Sequence, residues 1–203
     1  MPISQDFRTP LLHLIATLSF RLGDFTLSSG ARSDYYIDCR TTTLHAEGGR
    51  LAGLALYDFI RQHNLRPQAV GGLTMGADPL VSNIASASAW HHLENPESPL
   101  IHGFLVRKSE KTHGTGRRIE GFCEPGARVV IVDDVCTTGG STIQALEAAR
   151  DAGMQVVGVL CLVDRQEQGG RAAVEAAAQG APFLSLFTAE DVRAAHIAAM
   201  RKR

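Results

Sequence analysis

The sequence predicts an α/β fold: a mostly parallel central sheet with helices on both faces. Three observations carry that prediction. Short apolar segments bounded by turn residues recur along the chain. Each is followed by a segment with apolar residues at helical spacing, the alternation that builds parallel sheets with right-handed crossovers. Two of the apolar segments, Val129-Val130-Ile131-Val132 and Val156–Val163, show no polar alternation, as strands buried on both faces do. Finally, 203 residues with 44% apolar and 20% charged content suffice for one substantial core, so a single domain over residues 1–203 is expected.

Phe7–Arg21 opens the chain as a helix, with Leu11, Leu12, Leu14, Ile15 and Leu18 in register. Phe25–Arg40 differs: a turn at Ser28-Ser29-Gly30 precedes Tyr35-Tyr36-Ile37-Asp38, which reads as a strand. Ala46–His63 is a second helix that buries Leu51, Leu54, Ala55 and Phe59. Ala69–Leu73 then reads as a strand and Asp78–Trp90 as a helix, followed by a surface loop at Glu94–Pro99. Leu100–Val106 is a strand that runs into a long polar loop, Lys108–Glu124. Arg128–Val132 and Thr142–Ala152 form the next strand and helix, ended by Gly153 where a left-handed cap is usually glycine. Val156–Val163, helix Arg171–Ala178, the short strand Pro182–Phe187 and helix Ala189–Ala199 complete the chain.

Twenty basic against 21 acidic residues give no general attraction to nucleic acid or to an anionic membrane. Arg201-Lys202-Arg203 reads as a solvated tail. Asp6 and Arg8 interrupt any leader-like apolar run, and no run approaches the roughly 20 residues of a membrane span. Cys39, Cys123, Cys136 and Cys161 form no Cys-x-x-Cys pair, so free thiols in the cytoplasm are expected rather than a zinc site or a disulfide scaffold.

Ligands of such sheets bind at the carboxyl ends of the strands, and four segments fall there. Gly72-Leu73-Thr74-Met75-Gly76-Ala77-Asp78 is a glycine-flanked turn into a helix, a candidate anion contact that taken alone reads better as an ordinary connection. From Arg107 to Arg118 the chain holds five fixed cations and His113 among glycines, with almost no apolar anchor, the make-up equally of a solvated charged surface and of an anion-seeking lid. The most specific segment is Val129–Thr142. A buried strand leads into Asp133 and Asp134, then a hydroxyl- and glycine-rich loop, then a helix whose N-terminus offers free N–H groups to a phosphate. No Walker lysine is present. Paired acids beside a phosphate cradle suggest a ligand with a phosphate and a diol, such as a phosphorylated ribose. The fourth segment is Asp164-Arg165-Gln166-Glu167, where a guanidinium can grip a carboxylate; taken alone, a surface ion pair with Glu167 explains Arg165 better. His91 and His92 are adjacent and make a poor metal pair on a helix, and Cys136 has no paired base, so it reads as a packing residue.

In this order, the segments resemble the orotate phosphoribosyltransferases of the type I phosphoribosyltransferase class. Phe25–Gly30 with Ser33–Asp38 is similar to the family's base-site signature, Gly72–Asp78 to its pyrophosphate loop, and Val106–Gly114 to its catalytic loop. Val129–Thr142 is similar to the 5-phosphoribosyl-1-pyrophosphate (PRPP) motif of the whole class, and Asp164-Arg165 with Gly169-Gly170 completes the pattern. The resemblance implies the type I phosphoribosyltransferase fold, with about residues 1–45 and the C-terminal segment forming a hood over the base site. It implies transfer of phosphoribose from PRPP to orotate in pyrimidine synthesis, with Lys111, His113, Asp133 and Asp134 as catalytic residues. PRPP would be bound by Thr74, Met75, Gly76, Arg107, Lys108, Lys111, His113, Asp133, Asp134, Val135, Cys136, Thr137, Thr138, Gly139, Gly140, Ser141 and Thr142. Orotate would be bound by Ser29, Gly30, Tyr35, Tyr36, Thr137 and Arg165. It also implies Mg²⁺ held mainly by PRPP and a homodimer with shared sites. Ser28 stands where many members of the family carry lysine, and serine cannot supply that charge.

Overall fold

The computed structural model describes residues 6–26, 30, 32–108 and 118–201; Ser28, Ser29, Lys111 and His113 lie outside them. A six-stranded sheet of order β5-β4-β3-β6-β7-β8 is built from β3 (Ala69–Leu73), β4 (His102–Val106), β5 (Ile119–Gly121), β6 (Arg128–Cys136), β7 (Gln155–Asp164) and β8 (Phe183–Thr188). All its neighbours pair in parallel except β4 with β5. A separate antiparallel hairpin joins β1 (Phe20–Thr26) to β2 (Arg32–Ile37).

Helices cover both faces of the large sheet. On one side α3 (Ala46–Gln62) and α4 (Asp78–Glu94) pack with α1 (Arg8–Leu14) and α7 (Ala189–Met200) around Val130, Val132, Leu160 and Leu162. On the other, α5 (Gly140–Asp151) and α6 (Gly170–Ala178) cover Val129, Ile131, Val159 and Cys161. Leu146 of α5 is fully buried, and one such side chain contributes about 1.5–3 kcal/mol. A short helix, α2 (Arg40–Thr43), links the hairpin to α3. The last helix, α7, starts on a capping box: Thr188 Oγ1 accepts from the Asp191 N–H, and the Asp191 carboxylate accepts from the Thr188 N–H. Gly153 ends α5 at φ +76°, as its position predicted. Among the described residues no helix is long and apolar enough to cross a membrane.

Three element predictions need correction. The opening helix stops short of Phe20: the chain widens into a π-turn over Ile15–Ser19 and then becomes β1. Pairing with β2 decides this, since Phe20 stacks on Tyr35 of the partner strand at 5.4 Å between ring centroids. The polar loop Lys108–Glu124 contains β5, three residues that pair with β4 and are too few to show periodicity. Finally, β6 continues past Val132 through both aspartates to Cys136, because β7 pairs with it as far as Asp164.

The strand order reverses between β3 and β6: the chain steps outward from β3 to β4, then returns to place β6 on the other flank. That junction needs small residues. A Cβ on Gly71 would meet the Phe104 ring at 2.4 Å, and one on Gly72 the Val132 carbonyl oxygen at 2.2 Å. Replacing Gly71 by Ala should therefore lower stability by about 1–3 kcal/mol in urea unfolding. The loss should shrink in a Phe104→Leu background, and strictly additive losses would show that the contact is not the cause.

Candidate active site

Above the β3–β6 junction lies a cavity of about 810 Å³. Its walls include Thr74, Met75 and Gly76 after β3, Asp133, Asp134 and Val135 of β6, and Thr137, Thr138 and Ser141. Tyr36, Asp38 and Arg40 of the hairpin side close it from above, with Lys108 and Arg165. One or more residues of each of the four strand-end segments, among them Thr74, Lys108, Asp133 and Arg165, thus meet in one space.

Strand alternation separates the two acids. Asp133 follows Val129 and Ile131 toward α5, where Thr142 Oγ1 donates to its Oδ2 at 2.6 Å. Asp134 points to the opposite face beside Gly76, whose Cβ, if present, would lie 2.5 Å from Oδ1. That oxygen accepts from the Val135 N–H at 3.0 Å. Burial holds both carboxyls above the usual range, and the charge of Asp134 raises Asp133 further.

The loop after β6 is shaped by glycine. Gly139 has φ +77°, and a Cβ there would meet Val174 at 2.6 Å; a Cβ on Gly170 would meet the Thr137 carbonyl oxygen at 2.2 Å. The loop therefore lies against the start of α6 and delivers Gly140, Ser141 and Thr142 as the first turn of α5, with N–H groups that the helix leaves unpaired. The Cys136 side chain turns into the core, and burial pushes its thiol up to about 12.

On the other wall the Arg165 guanidinium is buried, only 3% exposed, between Glu167, Ser33 and the Tyr35 ring. The ion pair with Glu167 exists but is not a solvated surface pair. Asp164 turns the other way, to Arg171 at 2.8 Å. Of the two tyrosines, Tyr36 lines the cavity and Tyr35 lies buried on the opposite face of β2. Gly30 is exposed and Arg107 pairs with Glu120 at 3.0 Å; neither lines the cavity. Sequence reasoning missed Asp38 and Arg40, which face the site as a two-bond ion pair at 2.8 Å. Asp38 closes the quoted Ser33–Asp38 stretch, so the signal lay two residues short of Arg40. His91 packs near Tyr57 and His92 bonds the Ser98 carbonyl, both far along α4.

The raised carboxyls have a pH consequence. An acid whose pKa is higher folded than unfolded favours the folded state at low pH, and that advantage is lost as pH rises through the folded value. Asp134→Asn removes one of the two charges and keeps an acceptor for the Val135 N–H. The ligand-free variant should melt above the wild type at pH 8, and the gap should close toward pH 4. A gap independent of pH would contradict the raised carboxyls.

Comparison with known proteins places this geometry. The phosphoribosyl transferase domain matches residues 55–174. The orotate phosphoribosyltransferase of Aquifex aeolicus is 44% identical over 183 residues, 89% of this chain and 94% of that protein. That of Rhodopirellula baltica is 39% identical over 186 residues, 90% and 92% of the two chains. The crystal structure of Mycobacterium tuberculosis H37Rv orotate phosphoribosyltransferase in complex with PRPP superposes with a TM-score of 0.73 at 35% identity, covering 93% of this chain and 99% of that one. An adenine phosphoribosyltransferase from Rhodothermus marinus, at 22% identity and a TM-score of 0.58 over 89% of this chain and 99% of that one, shares the fold. The chain belongs to the phosphoribosyltransferase family, in its orotate phosphoribosyltransferase branch.

Proposed function

We propose that this protein transfers the 5-phosphoribosyl group of PRPP to orotate, giving orotidine 5′-monophosphate and pyrophosphate in UMP synthesis. One observation carries the reading. A single cavity joins the carboxylate pair at the end of β6 and a helix N-terminus to a buried arginine across from them. The acids and the helix start suit a sugar phosphate, and the arginine suits a base bearing a carboxylate.

In this reaction a ring nitrogen of the base attacks carbon 1 of the ribose as pyrophosphate leaves, so the ring gains positive charge and the leaving group negative charge. Asp133 and Asp134 accept hydrogen bonds from the ribose hydroxyls and favour the cationic sugar. Thr137, Thr138, Gly139, Gly140, Ser141 and Thr142 hold the 5′-phosphate through backbone and hydroxyl donors, with Val135 and Cys136 as the backbone leading into that loop. Thr74, Met75 and Gly76 receive the pyrophosphate, and Lys108, Lys111 and His113 stabilise its departure, while Arg107 is held outside the cavity by Glu120. Arg165 pairs with the carboxylate of orotate, with Ser29, Tyr36 and Thr137 beside the ring and Tyr35 behind the guanidinium.

The donor set fits Mg²⁺ bound chiefly through the substrate: the carboxylates of Asp38, Asp133 and Asp134 border the cavity and offer the hard oxygen donors that this ion prefers. When bound, the ion supplies positive charge to the phosphate oxygens of the leaving group.

A homodimer is part of the proposal. The two buried side-chain oxygens without a hydrogen-bond partner among the described residues, Thr43 Oγ1 and Asp78 Oδ1, belong to residues of one cleft beside the cavity. Leu44 and Met75 line the same cleft and are 73% and 65% exposed, which supports a second copy seated there. Four free cysteines, three of them buried, support a cytoplasmic location.

With Mg²⁺ and PRPP the purified protein should consume orotate, and not adenine, hypoxanthine or uracil at comparable rates. Purine consumption with orotate untouched would reject the assignment. If subunits share sites, mixing an inactive Lys111→Ala variant with an inactive Asp134→Ala variant should restore part of the activity. No recovery after confirmed subunit exchange would reject donation of the loop between subunits.

A further inference from the structure

Glu167 has so far been only the counter-ion of Arg165. Its surroundings give it a more definite task. Arg165 Nε and Nη2 donate to Glu167 Oε2 at 3.2 and 3.0 Å, and Nη2 also donates to Ser33 Oγ at 3.1 Å. The guanidinium carbon lies 4.4 Å from the centroid of the Tyr35 ring. The hydroxyl of the same tyrosine donates to the second carboxylate oxygen, Glu167 Oε1. Burial and this bond raise the Tyr35 pKa, so its hydroxyl remains a donor at neutral pH. Tyr35 is itself wedged between Phe20 and Arg193 of α7, and Arg193 bonds Asp34 at 2.7 Å.

The geometry leaves one nitrogen open. Nε and Nη2 are engaged, no hydrogen bond among the described residues takes Nη1, and Arg165 lines the cavity. A buried guanidinium without a counter-ion is strongly unfavourable, and a loosely held one loses rotamer entropy when a ligand fixes it. Glu167 removes both penalties before the ligand arrives, because both of its oxygens are held. We infer that Glu167 is a positioning residue of the base site: with Ser33 and the Tyr35 hydroxyl it orients Arg165 so that Nη1 faces the carboxylate of the incoming base. Glu167 acts on the substrate only through Arg165. This inference rests on the proposed orotate reaction.

The opposite role is also physically definite. A carboxylate that merely occupies the place of the substrate's carboxylate would compete with it, and its removal would improve binding. Steady-state kinetics of wild type, Glu167→Gln, Glu167→Ala and Tyr35→Phe separate the two. Glu167→Ala should raise KM for orotate tenfold or more, leave KM for PRPP within twofold, and change kcat less than the orotate KM. Glu167→Gln should fall between, because its one amide oxygen can accept from Tyr35 or from Arg165 but not from both. Tyr35→Phe should shift the orotate KM in the same direction by a smaller factor. Glu167 is 37% exposed and Gln is isosteric, so the Gln variant keeps the test available if Ala fails to fold. A lower orotate KM in the variants would make Glu167 a competitor and overturn the inference, as would an unchanged KM or an equal rise in both KM values. A wild-type protein inert toward orotate would instead sink the functional reading, so the two failures are distinguishable.

Discussion

The pairing of β3 with β6 is the contact on which the site depends. Only three residue pairs make it, Ala69 with Val129, Val70 with Val130 and Gly71 with Ile131, yet it is where the sheet order reverses and a crevice must open. Glycine makes the junction tight: Gly72 lies against the Val132 carbonyl and Gly76 against the Asp134 carboxylate. A side chain at either position would push the loop after β3 away from the acids of β6. The same pairing buries β6 between two helical layers, and this is why its carboxylates are partly stripped of water. Two acids at the end of an apolar strand are unfavourable for folding alone. Thr142 and the backbone N–H groups of residues 134 and 135 offset part of that penalty.

Strand alternation then divides the chemistry. Because neighbours on a strand face opposite ways, Asp133 belongs to the α5 wall and Asp134 to the wall of Gly76 and Arg40. A ribose lying across the end of β6 can meet one acid from each side. A pair spaced two residues apart would have placed both on one face and left the other wall without an acceptor.

How much of this the sequence revealed follows from the range of the interactions. The sugar-phosphate wall is nearly contiguous from Val129 to Thr142, so strand, acids, glycines and helix start could be read together. The parallel sheet was legible for the same reason, since each strand carries its own apolar run. What escaped depends on distant partners. β1 exists because β2 pairs with it, and β5 because β4 offers an edge. Tyr35 and Tyr36 look equivalent in sequence, and only the hairpin's packing sends one under Arg165 and the other into the cavity. The contacts of Arg165 with Ser33 and of Tyr35 with Glu167 span 132 residues each, and Arg193 reaches Asp34 across 159. No local pattern announces such contacts.

Charge accounting explains how a nearly neutral chain can hold anionic ligands. Arg40 and Arg165 line the cavity, and each is matched by a carboxylate two residues away: Asp38 for Arg40 and Glu167 for Arg165. Arg193, behind Tyr35, is matched by Asp34. These three guanidinium groups therefore project little net field. A directed donor such as the open nitrogen of Arg165 would favour a carboxylate in one place over anions in general. The opposite wall works by another means, because the first turn of α5 offers partial positive charge without any cation. Under the proposed reaction, such a division would let the base be chosen by geometry while the backbone holds the phosphate, so specificity for one would not weaken the grip on the other.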